Sequence, residues 1–238
     1  MSIKVELQPQ SQPRHQEDPG AQVAPSWPML RTLAGIATLS GLMVVLVYQA
    51  TKPIIAENER VLTEQAVFEV LPGAVSKVDF VLTDQGLAAA GAGAVGVAVF
   101  AGFGADGHLR GLAFPGAARG YQDVIQFLFG YDPACECIIG SKVLRSTETP
   151  GLGDKIDTDP VFLDNFVALD ASLNPEGTGL ANAIVLVAHG TKSAPWQIDG
   201  ISGATISGKA MARALNDAAQ RVVPIVRREL AKLEASAP

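Results

Sequence analysis

The stretch IDGISGATISGK, residues 198–209, sets a single threonine, Thr205, among three glycines, two serines and one alanine. Glycine and serine at this density let a ligand approach the main chain closely, and phosphate is the commonest such visitor, held by the free N–H groups that open a helix. The simplest alternative is a helix N-cap. A second stretch, STETPGLGDKID at residues 146–157, places Glu148 between two threonine hydroxyls on a loop whose glycines allow a ligand close approach. The same composition also builds a plain turn.

Other residues that could carry chemistry do less. GAGAVG at 91–96 matches a dinucleotide-binding fingerprint letter for letter, but that motif works only between a strand and a helix that receives the pyrophosphate. Here the following VAVFAGFGADGHLRG alternates and turns like a hairpin, and no acidic residue follows at the ribose-binding distance. Cys135 and Cys137 are the only cysteines. As alternate positions of one strand they face opposite ways, so a bond between them is expected to be strained, and two thiolates alone do not complete a metal site. They read as structural residues, with a labile redox pair as the alternative. His15, His108 and His189 lack the spacing of a metal site or a triad and receive no role. No catalytic residue and no metal ligand is expected.

The elements that must position Thr205 follow from the patterning of the whole chain. Its 238 residues suit one folded domain with appendages. A net charge of −6 argues against nucleic acid as a partner. Residues 1–30 mix Pro, Gln and both charge signs without periodicity, and read as a disordered tail. Residues 31–51 contain an uncharged apolar run between Arg31 and Lys52, long enough as a helix to cross a hydrocarbon core. A cleaved signal peptide is the alternative, but its charged start normally lies nearer the apolar run. Lys4, Arg14 and Arg31 precede the span and Lys52 and Arg60 follow it, so charge alone hardly orients it.

Residues 52–75 predict an amphipathic connecting helix, with Ile54, Ile55, Val61, Leu62, Phe68 and Leu71 at helical spacing and Pro72-Gly73 as the stop. Strands are expected at 77–82, 95–100, 124–129, 135–144 and 183–188, the third and fourth forming a hairpin across GYDPA. Helices are expected near 159–168 and over 206–233. Residues 76–238 thus form an α+β domain with an antiparallel sheet.

Three stretches carry a family resemblance. DGISGAT, Asp199 to Thr205, resembles the flavinylation motif of the FMN-binding domain family, and ETPGLGDKI at 148–156 and ARGYQDVIQFLFGYD at 118–132 resemble the same family. Anchor, connecting helix and motifs in this order are similar to the G-subunit family of Rnf electron-transport complexes. The resemblance implies a covalent phosphoester between Thr205 and FMN. It assigns Asp199, Gly200, Ser202, Gly203, Ala204 and Thr205 to recognition by a flavin transferase, which moves FMN from FAD onto the threonine with a divalent metal ion. Ser202, Gly203 and Ala204 are also expected beside the bound FMN. Glu148, Thr149 and Leu152 are expected near the isoalloxazine or ribityl chain; Lys209, one helical turn beyond Thr205, is expected to screen the phosphodiester, with a simply solvated surface lysine as the alternative.

By the same resemblance the partners are membrane and iron–sulfur subunits and the lipid bilayer. On this resemblance the chain is expected to span the inner membrane once, with its tail in the cytoplasm and its FMN domain on the periplasmic side, and to relay electrons in an ion-translocating ferredoxin:NAD oxidoreductase without a substrate site of its own. The C subunit of a sodium-pumping NADH:quinone reductase uses similar motifs and is one alternative. A membrane-anchored flavin-dependent sensor or regulatory module, or an adaptor without cofactor, is the other.

Overall fold

The computed structural model describes residues 26–83, 86–91 and 95–237. Residues 1–25, most of the tail expected to be disordered, lie outside them, as do residues 92–94 of GAGAVG. The first element is one helix, α1, Ser26–Val70, so residues 26–30, expected in the tail, are helical. The helix takes in both the anchor and the connecting stretches, with Pro53 inside it. It has 45 residues and is the described helix long and apolar enough to cross a membrane.

Two compact units divide within α1, the first ending at Ile54 and the second running from Ile55 to the C-terminus. In the second unit only the end of α1 is buried, at Ala66, Val67 and Val70, with Leu71 just beyond. The rest of the expected apolar stripe, Ile55, Val61, Leu62 and Phe68, stays exposed. Burial against the sheet is confined to the end of the helix, although Glu59 further up still reaches Arg145 of the sheet at 3.8 Å.

Seven strands make an antiparallel sheet in the order β2-β1-β3-β4-β5-β6-β7. They are β1 Ser76–Thr83, β2 Gly86–Ala89, β3 Val97–Phe103, β4 Leu109–Arg119, β5 Val124–Asp132, β6 Cys137–Arg145 and β7 Leu169–Asp170. No helix follows GAGAVG: its Gly96 leads into β3, which pairs with β4, as the alternation predicts. The hairpin of β5 and β6 also forms, with Phe129 opposite Ser141 and Tyr131 opposite Ile138.

Alternation along these strands makes two apolar faces. Ile125, Phe127, Phe129 and Tyr131 of β5 join Leu112 and Phe114 of β4 on one face, under the long helix α4, Thr205–Glu234. Alanines at 210, 214, 218 and 219 let α4 lie close, and at Gly116 a Cβ would sit 2.9 Å from the Ala214 carbonyl oxygen. On the other face Ala113 and Leu128 meet Ala66, Val67, Val70 and Leu71 from the end of α1. The domain is therefore a sheet between two helical segments.

Between β6 and α4 lie α2 Lys155–Thr158, α3 Pro160–Leu163 and a 3-10 turn, Asp164–Phe166. The strand expected at 183–188 is shorter, β8 Val185–Val187, and pairs in parallel with β9 Gln197–Asp199 outside the main sheet. Its approach is drawn to α4, where Ile184 N–H donates to Asn216 Oδ1 at 3.1 Å.

The cysteines depart from expectation. Cys135 and Cys137 form a disulfide with Cα atoms 5.2 Å apart. Strand alternation does not govern this pair, because Cys135 precedes β6 and Glu136 adopts φ +51°, the only positive value among the described non-glycine residues. That left-handed residue turns both side chains to one side.

Candidate functional site

Where α4 begins, the chain makes a tight approach at Gly203, φ +87°, a conformation that suits a residue without Cβ. A Cβ there would also lie 3.2 Å from Leu152 Cδ2. Ala204 is the N-cap and offers no side-chain cap; Gly208 N–H reaches back to the Ala204 carbonyl at 2.8 Å. Thr205 is thus the first residue inside the helix. Its side chain is exposed, and among the described residues its hydroxyl has no hydrogen-bond partner. The geometry removes the N-cap explanation of Thr205: a free hydroxyl stands beside the unpaired N–H groups and positive dipole end of a thirty-residue helix.

Thr205 opens into a cleft of about 370 Å³ lined by Tyr121, Glu148, Leu152, Gly153, Gly203, Ala204, Ile206 and Ser207. Its rim is apolar, because Tyr121, Leu152 and Ile206 are all at least half exposed. Glu148, at 7% exposure, lies beneath. Its Oε1 accepts the N–H groups of Tyr121 at 2.9 Å and Gln122 at 3.1 Å, and its Oε2 accepts the Ser207 hydroxyl. Thr149 supports the same loop from outside the cleft, its Oγ1 accepting from Gln122 Nε2 at 3.1 Å. Lys209 is exposed and does not line the cleft, so of the two expected flankers of the phosphate only the helix terminus faces it.

A second cleft, about 360 Å³, is lined by Asp199, Gly200, Ile201 and Ser202 with Lys155, Asp159, Val161, Phe162, Asn165 and His189. A smaller hollow of about 170 Å³ joins His189, Gly200 and Ser202 to Thr205. Asp199 does not point freely into solvent: its Oδ1 accepts Gly190 N–H at 2.7 Å, and His189 Nδ1 stands 3.2 Å from its Oδ2 and 2.8 Å from the Gly200 carbonyl oxygen. Buried Asn165 grips the Asp199 backbone twice, accepting its N–H at 2.8 Å and donating to its carbonyl at 3.3 Å, and also accepts from Lys192 Nζ at 3.1 Å.

The residues read from the sequence therefore fall into two groups. Thr205, Gly203, Ala204, Glu148 and Leu152 share one cleft, while Asp199, Gly200 and Ser202 line its neighbour. The sequence assigns no role to Asn165, His189, Ser207 or Tyr121. Tyr121 lies within the stretch 118–132, which could have marked it; Asn165 stands 34 residues from Asp199 with no local signal.

Comparison with known proteins places these clefts in a family. Residues 120–220 match the FMN-binding domain. The chain is 30% identical over 201 residues to the G subunit of the ion-translocating oxidoreductase complex of Methanosarcina acetivorans, covering 80% of this chain and 91% of that one. The chain belongs to the G-subunit family of ion-translocating oxidoreductase complexes. The corresponding G subunit of Cereibacter sphaeroides is 36% identical over 126 residues, 52% of this chain and 56% of that relative. The crystal structure of Shewanella oneidensis NqrC shares the fold, with a TM-score of 0.53 at 23% identity over 68% of this chain and 85% of that one. In this G-subunit family member, the FMN-binding span takes in every residue lining both clefts. The donor set suits FMN: apolar side chains at the rim for a ring system, and free helix N–H groups with no acidic side chain in the first turn of α4 for a phosphate.

Proposed function

We propose that this protein is a membrane-anchored electron carrier holding FMN through a phosphoester on Thr205, and that it relays electrons within an Rnf-type ferredoxin:NAD oxidoreductase. One observation carries the reading: the sole threonine of DGISGAT has an exposed, unpartnered hydroxyl at the N-terminus of α4, on the edge of an apolar-rimmed cleft. Bound FMN would supply the one- and two-electron chemistry, while the protein positions and tunes it.

The chain's own residues have separable roles. The free N–H groups at the start of α4 hold the phosphate charge, Gly203 keeps the main chain clear, and Tyr121, Leu152 and Ile206 shield one side of the ring from water. In attachment the Thr205 oxygen forms a bond to the FMN phosphorus of FAD, the pyrophosphate bond breaks, and AMP leaves as the threonine proton is released. Asp199, Gly200 and Ser202, on the neighbouring cleft, form the surface presented to the flavin transferase. A tether suits a domain on the periplasmic side, where a dissociable cofactor would be lost by mass action. Digestion of the folded domain by protease added to intact spheroplasts tests that side, and full protection would reverse it.

The deciding experiment is co-expression with a flavin transferase, followed by denaturing electrophoresis. The parent band should fluoresce under ultraviolet light and Thr205→Ala should be folded but dark, with peptide mass spectrometry locating the FMN on Thr205. A dark parent, or a fluorescent alanine variant, would refute the covalent assignment.

A further inference from the structure

The family resemblance sets Glu148 beside the flavin, yet its carboxylate is already occupied. The side chain is 7% exposed, and among the described residues no cation lies within ion-pair reach. Three donors compensate it instead: the N–H groups of Tyr121 and Gln122 on Oε1 and the Ser207 hydroxyl on Oε2. A buried carboxylate left without such partners is strongly disfavoured, so this arrangement holds its donors as firmly as they hold it.

The surroundings are shaped to this carboxylate. A Cβ at Gly120 would stand 2.6 Å from Oε1, and a Cβ at Gly153 would stand 2.6 Å from Oε2 and 3.0 Å from Ser207 Oγ. Both glycines lie in the loops that Glu148 joins. The three attached segments are the β4–β5 loop bearing Tyr121, the 146–153 loop bearing Leu152, and the first turn of α4 bearing Thr205. These are the three walls of the cleft.

We propose that Glu148 is the positioning residue of the flavin cleft: its carboxylate ties the Tyr121 loop to the first turn of α4 and so presets the spacing between Tyr121, Leu152 and Thr205. It acts through these residues and not by contact with the flavin. This rests on the reading that Thr205 carries FMN.

The hydrogen-bond pattern sets the test, which uses the full-length chain in detergent. Glu148→Gln keeps an oxygen for the two N–H groups and supplies an amide donor to Ser207 Oγ, so it should match the parent. Glu148→Asp is one methylene too short and Glu148→Ala has no acceptor. Both should accept FMN from FAD and purified transferase more slowly, on the order of tenfold. The flavin they do carry should show weaker visible circular dichroism, a sign of a loosely held ring that general destabilisation with an intact cleft would not produce. Ser207→Ala, which breaks one arm only, should show the same loss of dichroism in a milder form and decides the matter if Glu148→Ala does not fold. A parent that takes no flavin on Thr205 overturns both readings. A fluorescent parent with Glu148→Ala or Ser207→Ala unchanged in rate and dichroism overturns the positioning role alone. So does Glu148→Gln behaving like Glu148→Ala, which would mean that the charge matters and not the latch.

Discussion

Replacing Gly130 with alanine would put a methyl group where the end of α1 already lies. The added Cβ would fall on the Val70 carbonyl oxygen, 2.9 Å from the Val70 carbonyl carbon and 3.2 Å from Leu71 Cδ2. Neighbouring strands repeat the constraint: a Cβ at Gly140 would lie 2.7 Å from the Val70 carbonyl oxygen, and one at Gly102 would lie 2.7 Å from Leu71 Cδ1. Gly102 is on β3, Gly130 on β5 and Gly140 on β6, and Gly130 pairs with Gly140, so these glycines make a shallow trough for Val70 and Leu71. The obstacle is backbone, and no rotamer change relieves it.

The last turn of α1 must therefore lift. Losing the burial of Val70 and Leu71 costs about 1.5–3 kcal/mol for each, offset by about 0.4–1 kcal/mol from the stiffer unfolded chain, a net loss of about 2–5 kcal/mol. Urea unfolding of the full-length chain in detergent, followed by Trp fluorescence, should show Gly130→Ala with a lower midpoint. Gly91→Ala, with nothing among the described residues within 4 Å of its Cβ, should be close to neutral. Because α4 covers the opposite face, flavin attachment at Thr205 should persist under native conditions. A Gly130→Ala midpoint equal to the parent's would refute the docking of α1 in this trough.

The Asn165 and cysteine predictions follow from contacts just as local. Asn165→Ala leaves the Asp199 N–H and carbonyl without their side-chain partner, a cost of about 1–3 kcal/mol, and should slow flavin attachment at a distance from Thr205; attachment at the parental rate would show that the Asp199 strand needs no such clamp. Thiol titration of the oxidised, denatured protein should find no free cysteine until reductant is added. Replacing both cysteines by serine opens a loop of only three residues and should cost about 1–2 kcal/mol while leaving the flavin content unchanged, and free thiols before reduction would refute the disulfide.

What the sequence determined by itself was local or periodic. The apolar length of the anchor, the hairpin at GYDPA and the helix over 206–233 each depend on neighbours within a few turns or strand residues, so hydrophobic spacing and turn chemistry were enough to read them. The position of Thr205 at the start of a helix was legible for the same reason, because glycine and serine immediately before a helix mark the place where N–H groups stand free.

The tertiary structure decided what each polar side chain faces. Glu148 meets Tyr121 and Gln122 across 27 and 26 residues and Ser207 across 59, so its contacts depend on sheet register and on where α4 docks. Asn165 and His189 gain Asp199 only because the 3-10 turn and the β8–β9 pair converge. Lys209, correctly spaced one turn beyond Thr205, still misses the cleft, since spacing along a helix does not say which side its neighbours leave open. Even the cysteine pair turned on a single backbone angle at Glu136, a choice between left-handed and extended conformation that residue type leaves open and the packed turn resolves.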